Sequence, residues 1–207
     1  RAGLAGFTEG PVSEIQKQQE IQDAWRADTS LEDQAKRGEE ADESLLWKRM
    51  GLRLAIDGDF VKVEDLRIGG YAHQAGLRTQ DRIYSVDGQS MRYLKLHVVV
   101  QRFLEPRYAS LAVEVRRKIT IPAKTSKTDL KSLGIRLQQE YTGAMIGNVK
   151  TGSAGEKFGF KAGDRLVRVG ENNTRYMPLA KIGRAFKSNQ GKAFSVETGR
   201  ALQMARQ

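Results

Sequence analysis

The chain has 207 residues, 39% apolar and 29% charged, with a formal net charge of +10 and no cysteine. That composition describes a globular chain with a polar surface. The lack of cysteine excludes disulfides, thiolate catalysis and cysteine-based zinc sites. No apolar run approaches the roughly 18 residues that span a bilayer. Position 1 is Arg rather than Met, which reads as a processed form or a fragment. Residues 1–48 hold six Lys/Arg and eleven Asp/Glu, leaving 29 of the 35 basic and 14 of the 25 acidic groups to the remainder. An acidic arm of −5 therefore precedes a body of +15, which steers acidic partners toward it.

In chain order, residues 1–11 are rich in Gly and Ala and read as an extended lead-in. Ser13 and Gln16 fit a capping box that opens a helix over 13–28. Thr29 to Asp33 suggest a fresh helix start, Gly38 a stop, and residues 42–48 a further helical turn carrying Leu45, Leu46 and Trp47. Trp25 and Trp47 are candidate docking anchors, on a partner or on the basic body. Residues 50–56 read as a strand, Asp57–Gly58–Asp59 as a turn and Phe60 to Val63 as the return strand. A short helix over 72–75 ends at Gly76, and a strand follows over 81–86. Apolar residues at 96, 99, 100 and 103 keep a helical period until Pro106 ends it. Leu111 to Val115 alternate as a last strand, and 118–131 reads as a short basic linker. The same plan then recurs, with a long helix over 179–187 entered at Pro178.

That recurrence is a duplication. Met50–Gly51–Leu52–Arg53–Leu54 returns as Leu133–Gly134–Ile135–Arg136–Leu137, a shift of 134 − 51 = 83 with no gap. At the same shift Gly76 falls on Gly159, Asp81–Arg82 on Asp164–Arg165, Gly69 on Gly152, Val86 on Val169, Phe103 on Phe186 and Val113–Glu114 on Val196–Glu197. One offset held across most of the unit is the signature of a repeat.

The apolar-Gly-apolar loop leading into a strand resembles the carboxylate-binding loop of PDZ domains. Ala72 to Gly88, with Ala75–Gly76–Leu77, Asp81, Ile83, Val86 and Asp87–Gly88, is similar to that family's most recognisable segment. The first copy has Gln80 where the family favours glycine. The second has Phe158 in place of Ala75, and Gly170–Glu171 in place of Asp87–Gly88. The resemblance implies an α+β protein: an acidic helical arm (1–48), a PDZ-like partly open β-barrel with two helices (49–117), a basic linker (118–131), a second such barrel (132–200) and a tail (201–207).

It also implies peptide binding by strand addition. The expected contacts are Arg49, Met50, Gly51, Leu52, Arg53, Leu54, Leu96 and Val100 in the first copy. In the second they are Lys131, Leu133, Gly134, Ile135, Leu137, Leu179 and Gly183. The glycine lets the backbone turn and approach a carboxylate without a Cβ. The flanking apolar residues line the pocket for the peptide's last side chain, and Arg49 or Lys131 supplies a cation. Leu96 is favoured over His97 as the specificity residue, because its repeat mate, Leu179, is also Leu.

The resulting expectation is a non-enzymatic scaffold, adaptor or structural subunit of a multi-protein complex, with no cofactor and no metal. Its partner is the C-terminal or internal extended segment of another protein. The loop is similar to loops of plastid PDZ proteins, which favours an organellar setting over a bacterial envelope. Peripheral membrane association stays open. The alternatives are a regulatory fragment of a protease or envelope protein, and a basic nucleic-acid-associated accessory protein. His73 and His97 fit no zinc-ligand or triad pattern. The aromatics do not interleave with the basic residues as stacking platforms would, which weighs against nucleic acid.

Overall fold

The computed structural model describes residues 14–105 and 110–205. Helix α1 (Glu14–Met50) is continuous. The expected breaks at Thr29 and Gly38 are absent, since one glycine costs an isolated helix only ~1 kcal/mol and the neighbouring residues are good helix formers. The chain divides into two compact units at Asp42. Of the first unit, Ile21 and Leu31 are exposed, and the side chain of Trp25 lies outside the described residues.

The second unit holds the last two turns of α1 and everything after them. Its first module is β1 (Leu52–Asp57), β2 (Phe60–Leu66), α2 (Tyr71–Gln74), β3 (Arg82–Val86), β4 (Gln89–Ser90), α3 (Leu96–Leu104) and β5 (Ser110–Ile121). Its second module is α4 (Leu130–Leu133), β6 (Ile135–Glu140), β7 (Gly143–Val149), α5 (Ala154–Phe158), β8 (Arg165–Val169), β9 (Asn172–Asn173), α6 (Leu179–Ser188) and β10 (Phe194–Ala205).

The 83-residue shift holds bond by bond. Gly51 O accepts from Arg67 N–H as Gly134 O accepts from Lys150 N–H. Val63 N–H donates to Asp81 O as Ile146 N–H donates to Asp164 O. Left-handed backbone recurs at Gly51 and Gly134, at Gln80 and Gly163, and at Tyr93 and Tyr176. Gln80 thus adopts the glycine-like conformation that its place in the motif demands.

The two modules are open, as expected, and are joined edge to edge. The ten strands among the described residues form one sheet, in the order β1-β2-β3-β5-β10-β8-β7-β6, with β4 and β9 off the path. The join is β5 against β10, antiparallel and unbroken from Ser110↔Ala205 to Ile121↔Phe194. Residues 118–121 and 201–205, read from sequence as linker and tail, are therefore strand.

The two long strands also exchange cores. Leu111, Val113 and Val115 pack in the first core, and Ile119 and Ile121 further along the same strand pack in the second. Conversely, Phe194 and Val196 belong to the second core, and Leu202 and Met204 to the first. Burying two such side chains contributes roughly 3–6 kcal/mol to each core.

Candidate functional site

The expected ligand loops are built as helix ends. Gly51, left-handed at φ 66°, follows the last residue of α1, and its N–H donates to Trp47 O at 2.9 Å. Gly134, at φ 73°, ends α4 in the same way, donating to Lys131 O at 3.0 Å. Asp129 caps the other end of α4, accepting from Ser132 N–H at 2.9 Å, and hydrogen bonding from the Ser132 side chain, then from its N–H, holds the carboxyl below the usual range. Each glycine N–H is thus engaged within the chain, and each loop lies at the carbonyl end of a helix, where the partial charge is negative.

The apolar walls of the first pocket are in place and covered. Met50, Leu52, Leu54 and Val100 are all at most 5% exposed, and Leu46 of α1 joins the same core. In the second module Leu133 and Ile135 are buried and Leu137 and Leu179 half-buried. Gly183 faces Leu130, whose Cδ1 lies 3.8 Å from where a Cβ at 183 would sit. The helical turn before the loop therefore fills the second pocket. Arg49, Arg53 and Lys131 are exposed. Trp47 has Arg53 and Arg67 over its ring, at 4.8 and 5.8 Å.

The two grooves differ at their far ends. Leu52, Leu54 and Ile56 share one face of β1, and Ile56 is 64% exposed. Leu96, at the start of α3, is half-buried. The repeat mates of Ile56 and Leu96 are Gln139 and Leu179. Gln139 Oε1 accepts from Leu179 N–H at 3.3 Å, while its Nε2 donates to Gly143 O at 2.7 Å. This side chain ties β6 to the start of α6. Ile56 went unnoticed in the sequence, although its alternation with Leu52 and Leu54 places it on the groove face.

The aspartates of the repeated Asp-Arg pairs, used above only to align the copies, lie at the seam of the two modules and meet arginines from elsewhere in the chain. Asp81 is 1% exposed and accepts from Arg117 Nε at 2.9 Å, Arg200 Nη2 at 3.0 Å and the Arg78 backbone N–H at 2.9 Å. Asp164, also buried, accepts from Arg78 Nη1 at 3.1 Å, and its Oδ1 has no hydrogen-bond partner. Burial pushes the Asp164 carboxyl up despite Arg78 and Arg200 beside it.

Residues 62–117 match the PDZ domain family. Over these residues the first module is a PDZ domain by sequence. The chain as a whole is a tandem PDZ-like protein, whose second module repeats the backbone of the first. Among solved structures, INAD PDZ45 in complex with an NG2 peptide is 15% identical, with 77% of this chain and 85% of that chain covered and a TM-score of 0.32. INAD PDZ45 with the NORPA CC-PBM is likewise 15% identical, with 77% and 89% covered and a TM-score of 0.36. No curated protein matches the chain.

Proposed function

We propose that this protein is a non-enzymatic scaffold or structural subunit that takes up an extended segment of another protein by strand addition at β1. The observation that carries this reading is the position of β1 and β6, which are the two outermost strands of the sheet path. An outermost strand presents a row of main-chain groups that an incoming strand can pair.

The first module is the receptive one. Ile56 and Leu96 offer apolar surface at the open end of its groove, where Gln139 bridges the second. Main-chain pairing and these side chains do the binding, and the loop N–H of Gly51, bonded to Trp47 O, takes no part in holding a carboxylate. Arg53 on the outer flank adds attraction for acidic segments.

A peptide library presented with both free and amidated C-termini tests this. The expected outcome is equal binding of the two forms, with weakening in Ile56→Asp and Leu96→Asp. Binding that requires the free carboxylate, or that ignores both substitutions while the domain stays folded, overturns it.

A further inference from the structure

The seam of the sheet carries a second feature, on the face opposite the cores. Two antiparallel strands related by an 83-residue repeat have a local two-fold at the pair whose members differ by 83. That pair is Arg116 opposite Gly199. Around it the register sets one row across four strands: Arg82 opposite Arg116, Arg116 opposite Gly199, and Gly199 opposite Arg165. Directly opposed residues share a face, and like charges so placed repel.

Each of these cations has one carboxylate. Arg82 pairs with Asp57 at 2.6 Å, Arg116 with Glu114 at 2.8 Å and Arg165 with Glu140 at 3.2 Å. Arg175 nearby has its guanidinium over the Tyr176 ring at 5.1 Å and no carboxylate partner among the described residues. Arg116 also lies 4.4 Å over the Tyr84 ring, and its Nε is buried without a hydrogen-bond partner.

Gly199 makes this arrangement asymmetric. A Cβ there would lie 3.2 Å from Arg116 Cδ and 3.3 Å from its Nε. The repeat mate of Arg116 has no side chain, and Arg116 leans over the vacated position. Above this floor is a cavity of about 770 Å³, walled by Tyr84, Glu114 and Arg116 from the first module and by Glu140, Arg165 and Arg175 from the second. That volume is within the range of small-molecule sites.

We propose that this cavity is a binding site for a small anion bearing phosphate or carboxylate groups, held between Arg116 on one side and Arg165 and Arg175 on the other. Of the four arginines lining it, Arg200 is engaged with Asp81 and Asp164, and the other three face two glutamates, so the site keeps a positive excess for a ligand to neutralise. Arginine suits both oxyanions because its fork donates two parallel N–H bonds. Neighbouring strands lie ~4.8 Å apart, so the Arg116 and Arg165 backbones are about 10 Å apart, a span that two oxyanion groups of one ligand can bridge.

The test is calorimetric titration of the full chain at constant ionic strength with two probes, pyrophosphate and citrate. At least one should bind saturably at one site, and the probe that binds assigns the chemistry; binding of both assigns oxyanions in general. Arg165→Gln and Arg175→Gln, both at exposed residues, should each weaken that binding about tenfold, the loss of one charge-assisted hydrogen bond. The double variant Lys127→Gln/Lys187→Gln, which removes the same kind of charge elsewhere, should leave it unchanged. Absence of saturable binding by either probe overturns the proposal. So does weakening in the lysine double variant equal to that in the arginine variants.

Discussion

Replacing each seam aspartate by asparagine should expose an inequality that the duplication conceals. Asp81 and Asp164 are repeat mates and both are buried, but their surroundings differ. Asp81 takes three hydrogen bonds, two from arginines and one from a backbone N–H. Asp81→Asn removes the charge that Arg117 and Arg200 share, leaving the partly buried Arg117 without its carboxylate and Arg200 with Asp164 alone, at 3.7 Å. Breaking a buried pair in this way costs about 3–5 kcal/mol. Asp164 takes one hydrogen bond, keeps a second arginine only at 3.7 Å, and has an oxygen with no donor. Its charge is poorly solvated already, so Asp164→Asn should cost about 1–2 kcal/mol, the worth of one hydrogen bond to a charged group offset by the desolvation relieved. Urea titration of the full chain, followed by circular dichroism and checked for equal m-values, measures both. A cost for Asp164→Asn equal to or above that for Asp81→Asn would refute the reasoning.

The raised carboxyl of Asp164 adds a pH signature: the folded state holds this proton after the unfolded chain has lost it. Its contribution to stability therefore falls as pH rises from the unfolded value of about 3.9 to the folded one, by at most about 1.4 kcal/mol per pH unit. That component should be missing from the pH profile of Asp164→Asn. Gly134→Ala should destabilise by roughly 1–3 kcal/mol, because the residue is left-handed and its new Cβ would lie 2.6 Å from Ser153 Cβ; thermal unfolding reads this directly. Met204→Ala should cost about 2–5 kcal/mol, and hydrogen exchange should show the loss at β1 and β2 of the first module rather than around α6. Deleting residues 1–42 should leave the melting of the second unit unchanged while weakening capture of partner proteins in a pull-down, since the acidic arm is a unit of its own with Ile21 and Leu31 exposed.

How much of this could be read beforehand depends on the range of the interaction concerned. The Gly-Gly spacing was legible because left-handed turns restrict residue choice locally at 51 and 134 and at 76 and 159, whereas Asp81 and Asp164 aligned the copies without showing the distant arginines they are buried against. The core face of α3 was legible from its period. The length of β5 was not. Lys118–Ile119–Thr120–Ile121 alternates as a strand should, but its lysines, with those at 124, 127 and 131, gave the stretch the composition of a linker. Only β10, some 80 residues later, shows what Ile119 and Ile121 pack with. The filled pockets were equally hidden. The motif marks where a loop turns, but whether its N–H groups are free depends on the backbone before it. Here that backbone is helical through Met50 and Leu133.

The exchanged strands also fix the order of events when the protein is made. A ribosome delivers the chain from its N-terminus, and an independent first domain folds while the rest is still being synthesised. This one cannot finish on that schedule. Leu52, Val61 and Phe103 emerge first, but the side chains that close their core, Leu202 and Met204, follow only after the whole second module has been made. Until then the nascent first module shows an apolar gap and a bare β5 edge, and a chain stalled before residue 194 offers both to anything that holds unfinished proteins.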